Sequence, residues 1–419
     1  MEQSEYITAI DIGTTKIAAL VGKVTGNGRI LVEEQYCTHS RGVRRGLVEN
    51  VEDTVDSIKE CLGKLYEKTN VRQEKVVVGI AGRHISSRQD SAKKIRQNPR
   101  AIITQSEVDE LRRQMDNISL SPGQKILQVI PQEYVIDNMP VDKAVGYQGN
   151  VLTGNYYIVV SDVGAMDRIK LCIERCGLTL NNLVLEPIAS AEAVLTAEER
   201  EAGAVLLDIG GGTSDMVIYH KNVVRVAEVI PCGGEVITED IRKVYKVPRQ
   251  VAEKIKCRYG SCFEECCSDD VIIPYYKDAA RREVGHISER NLAGVIYERM
   301  EQIIDAVVYI IGESGFEDKV SSLVLTGGGS LMKHLPELFL LRTGLDVRIG
   351  YPRVQQVDGG ARGTLSPIMA TGVGLMMSGY RSDGGSGGGL IGGFIDKIKG
   401  KVTKFATDIF TENDSHLLQ

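Results

Sequence analysis

Two segments of similar pattern constrain this chain most strongly. Each has an apolar run, an Asp-Ile-Gly triplet, small residues and a second apolar run: ITAIDIGTTKIAALVG at 7–22 and VLLDIGGGTSDMVIY at 205–219. The pattern predicts a strand, a turn whose backbone N–H groups surround an anion, and a return strand. Either segment alone is also compatible with an ordinary glycine-rich hairpin. Their repetition, with Asp11 aligned to Asp208, favours two related half-molecules facing one nucleotide.

A third glycine-rich segment lies near the end of the second half. LVLTGGGSL at 323–331 places three glycines between a predicted strand and a predicted helix. A backbone without side chains approaches a flat ligand closely, so this loop is predicted to allow such an approach.

The three loops, in this order, resemble those of the actin/Hsp70/sugar-kinase ATPase superfamily. The resemblance implies an α/β actin-like fold, with two related halves around a cleft for ATP and Mg²⁺. The segments at 185–189 and 370–375 resemble the two helices that connect the halves. The resemblance assigns phosphate and nucleoside contacts to Asp11, Gly13, Thr14, Thr15, Lys16, Gly210, Gly211, Gly212, Thr213, Glu235, Glu253, Lys256, Gly327, Gly328 and Gly329.

Acidic residues near the loops are assigned to the metal and to an attacking water. Asp11, Asp208 and Asp215 are expected to hold Mg²⁺ through water, because hard oxygen ligands suit this ion. Glu186 or Asp208 is expected to orient water, which makes slow hydrolysis chemically feasible. Lys16 is predicted to reach a phosphate oxygen or, alternatively, to point to solvent, and the pair Glu253 and Lys256 is equally typical of a solvated helix face.

Three further segments narrow the resemblance to the FtsA family of bacterial cell-division proteins. They are RGVRRG at 41–46, VGIAGRHI at 78–85 and IPQEYVID at 130–137. The resemblance implies subdomain 1A at 1–83 and 163–197, an inserted subdomain 1C at 84–162, 2A at 198–235 and 313–378, and 2B at 236–312. In the family, 2B receives the C-terminal peptide of the tubulin-like protein FtsZ. Arg290 and Arg299 are our candidates for that acidic peptide, and solvated helix charges are the alternative.

The composition fits a chain of more than one domain and excludes several classes of protein. The chain has 419 residues, a formal net charge of -6, no Trp and no basic stripe with interleaved aromatics, so no nucleic-acid partner is expected. The acidic N-terminus is predicted to enter a strand at once and is not expected to be a signal peptide. Nine cysteines are then interpreted as cytosolic thiols. Cys257, Cys262, Cys266 and Cys267 cluster without the paired spacing of a zinc site.

Apolar spacing predicts the principal elements. Steps of three and four residues predict helices over 48–65 and 292–311, and 165–176 is a third predicted helix. Residues 76–80 predict a buried strand. In the insertion, 126–129, 132–136 and 156–160 predict strands, and a capped helix is predicted to start at 106. Residues 236–256 are predicted to be helical.

The C-terminal 41 residues are predicted to form a tether and a membrane helix. Residues 379–389 are rich in Gly, Ser and Asp, which is typical of a flexible linker. At about 100° per residue, 390–411 forms an apolar face bordered by lysines, typical of a helix lying on an anionic membrane. The predicted membrane residues are Ile391, Phe394, Ile395, Ile398, Val402, Phe405, Ile409, Lys397, Lys401 and Lys404. A last helix docked on the protein's own core is the alternative.

Together these features predict an ATP-binding cell-division protein peripheral to the inner face of the cytoplasmic membrane. It is expected to self-associate into filaments and to tether FtsZ filaments through its terminal helix. A pilus-type or shape-determining actin relative keeps the loops but is expected to lack the insertion. A sugar or acetate kinase needs a dedicated base near a substrate hydroxyl, and an Hsp70-like chaperone needs a further peptide-binding domain.

Overall fold

The structure is a computed structural model that describes residues 6–25, 29–72, 74–276, 284–353, 357–359 and 363–383. The first half begins with β1 (Tyr6–Ile12), β2 (Lys16–Val24), β3 (Ile30–His39), β4 (Val43–Arg44), β5 (Leu47–Val48), α1 (Val51–Thr69) and β6 (Lys75–Ile80). The insertion contains β7 (Ile85–Ile95), α2 (Gln105–Met115), β8 (Gln124–Ile136), β9 (Met139–Val141) and β10 (Val151–Asp162). The first half then resumes with α3 (Val163–Arg175), β11 (Thr179–Leu185) and α4 (Glu186–Val194).

The second half opens with α5 (Ala197–Ala202), β12 (Ala204–Ile209), β13 (Ser214–His220), β14 (Val223–Ile230), α6 (Gly234–Tyr245) and α7 (Arg249–Tyr259). It continues through β15 (Ile272–Tyr276), β16 (Val284–Ser288), α8 (Glu289–Ser314), β17 (Ser322–Thr326), α9 (Leu335–Thr343) and β18 (Asp346–Ile349). The described chain ends with β19 (Val357–Gly359) and α10 (Ala370–Asp383).

The central sheets of the two halves share one strand order. The first sheet has the order β11-β6-β1-β2-β3-β19. The second, written from the corresponding edge, has the order β18-β17-β12-β13-β14. In each, a hairpin is antiparallel (β1 with β2, β12 with β13), and its first strand also pairs in parallel with a later strand (β6 or β17). Apart from the added β19, the sheets match strand for strand. The predicted fold of two related halves is therefore confirmed.

Two helices join the halves. One apolar core includes residues of both sheets together with α4 and α10. The helices approach closely at Gly374, where a Cβ atom would lie 1.8 Å from the carbonyl oxygen of Ala189. The segments predicted to connect the halves thus form one direct contact between them.

The insertion forms a separate four-stranded sheet of order β7-β10-β8-β9, with its own apolar core. Its residues also cover the edge strand β14 of the second half. The Tyr157 hydroxyl accepts from the Ala227 N–H at 2.9 Å and donates to the Ala227 carbonyl at 3.1 Å. The Gln132 amide donates to the Val224 carbonyl at 2.6 Å, from a bulge in β8. Backbone groups on the unpaired side of this edge strand are thereby satisfied.

Most predicted elements are confirmed, with corrections at their ends. α1 starts at Val51 because Asn50 caps it, so Val48 lies in β5 instead. α2 starts at Gln105, capped by Thr104, and the two strands predicted around residue 130 are one bulged strand. The helical region predicted over 236–256 is broken by Pro248 into α6 and α7.

Two predicted boundaries also fall inside helices. α8 is continuous through Ser314, so it crosses the boundary predicted between subdomains 2B and 2A at 312–313. α10 runs to Asp383, so the linker does not begin at 379. The reason is packing: a Cβ atom on Gly379 would lie 2.8 Å from the Val77 side chain, and Tyr380 lies against the core. The predicted membrane helix over 390–411 lies outside the described residues.

Candidate functional site

The two glycine loops of the aligned hairpins touch each other. A Cβ atom on Gly211 would lie 2.3 Å from the Thr15 side chain, and one on Gly212 would lie 2.4 Å from Thr14 Oγ1. Hydroxyl-bearing residues of the first loop thus face bare backbone of the second. The structure brings Gly13 to Lys16 and Gly210 to Thr213 to one place, as the alignment predicted.

Four carboxyl groups lie beneath these loops. Asp11, Asp208 and Asp215 are buried, and Asp208 pairs directly with Asp215 across the β12–β13 ladder. Glu186, at the start of α4, fits against Gly79 of β6, where a Cβ atom would lie 2.7 Å from its carboxylate. Burial, reinforced by Asp11 and its neighbours, raises the pKa of Glu186 well above its usual value. Burial and the charge of Asp208 likewise raise the pKa of Asp215.

The carboxyl group of Asp208 is oriented by both connecting helices. Its Oδ2 accepts hydrogen bonds from Ser190 of α4 at 2.7 Å and from Thr371 of α10 at 3.1 Å. Burial raises the pKa of Asp208, and these hydroxyl groups oppose that shift. Sequence analysis did not assign a role to Ser190 or Thr371. The only signals were that Thr371 lies within the second segment interpreted as a connection and that Ser190 directly follows the first.

The ammonium group of Lys16 points into the cleft, which decides between its two predicted directions. Nζ donates to the Ile368 carbonyl at 2.6 Å and lies 3.4 Å from Asp11 Oδ2. Burial opposes the charged form, but Asp11 and the neighbouring acids outweigh it and raise the pKa of Lys16. The group therefore stays cationic and lies between the first loop and the turn before α10.

The second loop rests on the N-terminus of α6. The N–H groups of Gly234 and Glu235 donate to the carbonyls of Gly210 and Gly211 at 3.0 and 2.8 Å. A Cβ atom on Gly233 would lie 2.7 Å from both of those carbonyls, so only glycine fits there. Glu235 supports the second loop through its backbone N–H, and its carboxylate pairs with Arg249.

The side chain of Lys256 is largely buried, whereas that of Glu253 is about half-exposed. Lys256 Nζ donates to the Gly234 carbonyl, to Thr238 Oγ1 and to Glu253 Oε2, each at 2.8 Å. Thr238 also hydrogen-bonds to the same carboxylate. The network ties α7 to the start of α6 and so to the second loop. Thr238 is a further residue that sequence analysis missed, since no local pattern links it to positions in the next helix.

The third loop lies against the end of β12. Gly327 has a φ of 80°, and a Cβ atom there would lie 2.2 Å from Asp208 Oδ1. Gly329 packs on Ile209, whereas Gly328 has nothing nearer than an Ile368 carbon at 4.0 Å. A short 3-10 turn, Gly328–Leu331, follows, so the helix predicted directly after the loop begins later, at Leu335.

The acidic cluster fits a hydrated divalent cation. Asp215 Oδ1 is buried and has no hydrogen-bond partner among the described residues, which leaves an oxygen free to accept from a metal-bound water. Within the same described ranges, no three His, Cys, Asp or Glu side chains converge closely enough to ligate one ion directly. Coordination of Mg²⁺ through water stays a prediction.

Sequence comparisons with known proteins show which family this chain is similar to. The sequence profile described as "Cell division protein FtsA" matches residues 205–374, and that described as "SHS2 domain inserted in FTSA" matches residues 82–160. The cell division protein FtsA of Neisseria meningitidis is 34% identical over 389 residues, covering 91% of this chain and 92% of its own. This chain belongs to the FtsA family. The FtsA of Pseudomonas aeruginosa is 35% identical over 395 residues, covering 92% of each chain.

Solved structures with low sequence identity share the fold of this FtsA-family protein. A PilM-PilN type IV pilus biogenesis complex matches with a TM-score of 0.65 at 16% identity, covering 89% of this chain and 98% of the other. MreB5 of Spiroplasma citri bound to ADP matches with a TM-score of 0.51 at 14% identity, covering 90% and 97%. The actin-like fold is confirmed, and the match to the SHS2 profile identifies the insertion as the FtsA type.

The two residues predicted to meet a partner differ in their surroundings. Arg299 is half-buried and bonded to Asp240 at 2.8 Å and to Gln302 at 2.7 Å, so its guanidinium already has partners within the chain. Arg290 is more exposed, and its nearest carboxylate among the described residues, Asp269, lies 3.7 Å away. Arg290 is therefore the better placed of the two for an external carboxylate.

The clustered cysteines of this FtsA-family chain are free thiols, and three of them donate hydrogen bonds to different groups. Cys257 donates to Glu253 at 3.2 Å, Cys262 to the Lys333 carbonyl at 3.2 Å, and Cys267 to the Phe263 carbonyl at 3.5 Å. Burial raises the pKa of Cys262 to about 12.

No helix within the described ranges has both the length and the apolar character needed to cross a membrane.

Proposed function

We propose that this FtsA-family cell-division protein binds Mg²⁺ and ATP between its halves, forms filaments and holds FtsZ filaments at the inner face of the cytoplasmic membrane. The observation that carries the nucleotide part is the direct contact between two glycine loops above four carboxyl groups. MreB5 of Spiroplasma citri, which shares the fold, has been solved with ADP. When bound, Mg²⁺ would neutralise phosphate charge and polarise the terminal phosphoryl group.

The residues of the cleft have distinct tasks in this proposal. Backbone N–H groups of the two loops and the Lys16 ammonium bind phosphate oxygens, as bare backbone and a fixed cation do in other phosphate sites. Asp11, Asp208 and Asp215 would hold the waters of a bound Mg²⁺. Ser190 and Thr371 fix the orientation of Asp208. The carboxyl group of Glu186 lies beside these acids, so it is placed to orient an attacking water.

The nucleotide proposal is tested by titrating a fluorescent ATP analogue into the full chain. Asp208→Asn is expected to weaken Mg²⁺-dependent binding at least about tenfold, because one acceptor for metal-bound water is lost. Asp346→Asn, at an exposed strand start, is the matched control and is expected to bind as the wild type does. Equal affinity of wild type and Asp208→Asn would remove Asp208 from the metal site.

Filament formation and membrane binding are proposed to use different parts of the molecule, the two halves and the terminal helix. We propose that nucleotide fixes the angle between the halves and so favours a head-to-tail contact that does not close, which builds a filament. Many terminal helices on one filament then hold an anionic membrane more firmly than one helix does. Deleting 390–419 is expected to abolish co-sedimentation with anionic liposomes. Retained co-sedimentation would contradict the membrane assignment.

Partner binding is tested by calorimetry with a synthetic FtsZ C-terminal peptide. Arg290→Ala is expected to weaken binding about tenfold through loss of one charge-assisted contact. Arg299→Ala is the comparison, since its guanidinium already pairs with Asp240. If the wild-type chain gives no binding heat with this peptide, the proposal that FtsZ is its partner is wrong. A larger loss for Arg299→Ala than for Arg290→Ala would shift the contact to Arg299.

A further inference from the structure

A cationic pocket lies beside the first glycine loop and has no part in the function described so far. It has a volume of about 170 Å³ and is lined by Arg44, Arg45, Leu47, Glu49 and Arg83. We call it the arginine pocket. In the described part of the chain, none of its three guanidinium groups has an ion-pair partner, although other arginines nearby, such as Arg41 with Glu60, do. Three cations and one carboxylate leave a surplus of positive charge.

The backbone holds these arginines together at a conformational cost. β4 and β5 form a hairpin in which Arg44 pairs with Leu47, and the turn residues Arg45 and Gly46 both have positive φ, 48° and 73°. Such turns favour Asn, Asp or Gly at both positions, so an arginine is unfavourable at the first. A residue kept in an unfavourable backbone conformation is a reason to look for a functional role.

Close packing brings Arg83 to the same place. A Cβ atom on Gly46 would lie 2.5 Å from the Ala81 carbonyl and 2.9 Å from Gly82 Cα, so the hairpin rests directly on the segment before Arg83. Two separate stretches of sequence, 41–46 and 78–85, thus contribute to one pocket. Neither stretch supplies a residue to the predicted nucleotide site.

The pocket is also coupled to the cleft. The N–H of Gly46 donates to Thr14 Oγ1 at 3.0 Å, which links the arginine hairpin to the first loop.

We propose that the arginine pocket binds a phosphate-type oxyanion. Planar guanidinium groups match phosphate oxygens through paired hydrogen bonds, and three of them around one small cavity complement a dianion. The anion is either free inorganic phosphate or the terminal phosphoryl group of a nucleotide at the neighbouring loops. Its binding fixes the Arg45–Gly46 turn and, through Thr14, the first loop.

The test is calorimetric titration of inorganic phosphate into the full chain at low salt, with three variants. Arg45→Asn removes the charge but suits the turn, so it is expected to fold at least as stably as the wild type and to bind phosphate about tenfold more weakly. Glu49→Gln removes the single carboxylate and is expected to tighten binding. Arg41→Gln lies outside the pocket and is expected to bind as the wild type does.

The same titration with saturating Mg²⁺ and ADP, or a non-hydrolysable ATP analogue, separates the two sources of the anion. Phosphate binding that survives both nucleotides identifies a site for free phosphate. Binding blocked by the ATP analogue but not by ADP identifies the terminal phosphoryl group as the occupant. Phosphate binding that is absent, or is equal in the wild type and Arg45→Asn, overturns the proposal and leaves the nucleotide proposal untouched.

Discussion

Gly211 of the second loop lies directly against Thr15 of the first, with 2.3 Å between the position of an added Cβ atom and Thr15 Cγ2. The backbone of Gly211 is not left-handed, so space alone decides whether a side chain fits. Protein interiors do not yield freely to an added methyl group, and a contact this short forces the loops apart. The two halves therefore meet at a point where only glycine is tolerated.

Gly211→Ala is expected to lower the free energy of unfolding by about 1–3 kcal/mol, because the added methyl group overpacks the loop contact. The measurement is urea denaturation, with Gly63→Ala as control. Gly63 lies inside α1 with no atom within 4 Å of an added Cβ, so that change is expected to raise stability by about 0.5–1 kcal/mol.

A double-mutant cycle tests the contact itself. Thr15→Ala shortens the opposing side chain, so the pair Thr15→Ala and Gly211→Ala is expected to be about 1 kcal/mol more stable than the sum of the single effects. Strict additivity would show that the loops do not meet in solution.

Neighbouring glycines of the third loop are expected to respond oppositely to the same substitution. Gly327→Ala puts a methyl group 2.2 Å from Asp208 Oδ1 at a positive φ, and is expected to lower the free energy of unfolding by about 2 kcal/mol or more. Gly328→Ala has free space and is expected to change it by less than about 0.5 kcal/mol. Urea denaturation compares the two. Equal losses would mean that the loop is not held against β12.

Tyr157→Phe is expected to lower the free energy of unfolding by about 1–3 kcal/mol. Loss of the hydroxyl leaves the buried N–H and carbonyl of Ala227 without their hydrogen bonds, and unpaired buried groups incur a desolvation penalty. Thermal and urea denaturation measure the loss. Tyr147→Phe, exposed on the same insertion, is the control with no expected change. No loss for Tyr157→Phe would show that the insertion does not cover β14.

The acidic cluster predicts a specific pH dependence of stability. The pKa of Glu186 is raised by burial and by Asp11, so the folded state favours the protonated form. Stability from this group is fully present below its unfolded pKa of about 4.5 and is lost as the pH rises through the raised value. Glu186→Gln is therefore expected to match the wild type in acid and to become increasingly more stable than it as the pH rises.

Urea denaturation of the ligand-free chain across pH 5–8 measures this difference. Glu313→Gln, on an exposed helix end, is the control and is expected to show no trend relative to the wild type. A constant difference between Glu186→Gln and the wild type across the range would show that the carboxyl group ionises normally.

Local patterns determined a large part of this protein. Apolar runs around two Asp-Ile-Gly triplets were enough to predict both hairpins, because alternation and turn chemistry act over a few residues. The same holds for α8, whose buried residues recur at the predicted steps. Signature segments also placed the insertion and the family. Element ends were less predictable, because caps such as Asn50 and contacts such as that of Gly379 override periodicity.

Only the tertiary structure decided how the site is supported. The bonds from Ser190 and Thr371 to Asp208 join residues 18 and 163 positions from it, and the sequence carries no sign of such distances. The tertiary structure also decided the hydrogen bond from Lys256 to the Gly234 carbonyl and those between Tyr157 and Ala227. It likewise brought the arginines of the pocket close to Thr14. Hydrogen bonds and close packing act between whichever groups the chain brings together, so they depend on the completed fold, whereas hairpins and amphipathic helices depend on neighbours along the chain.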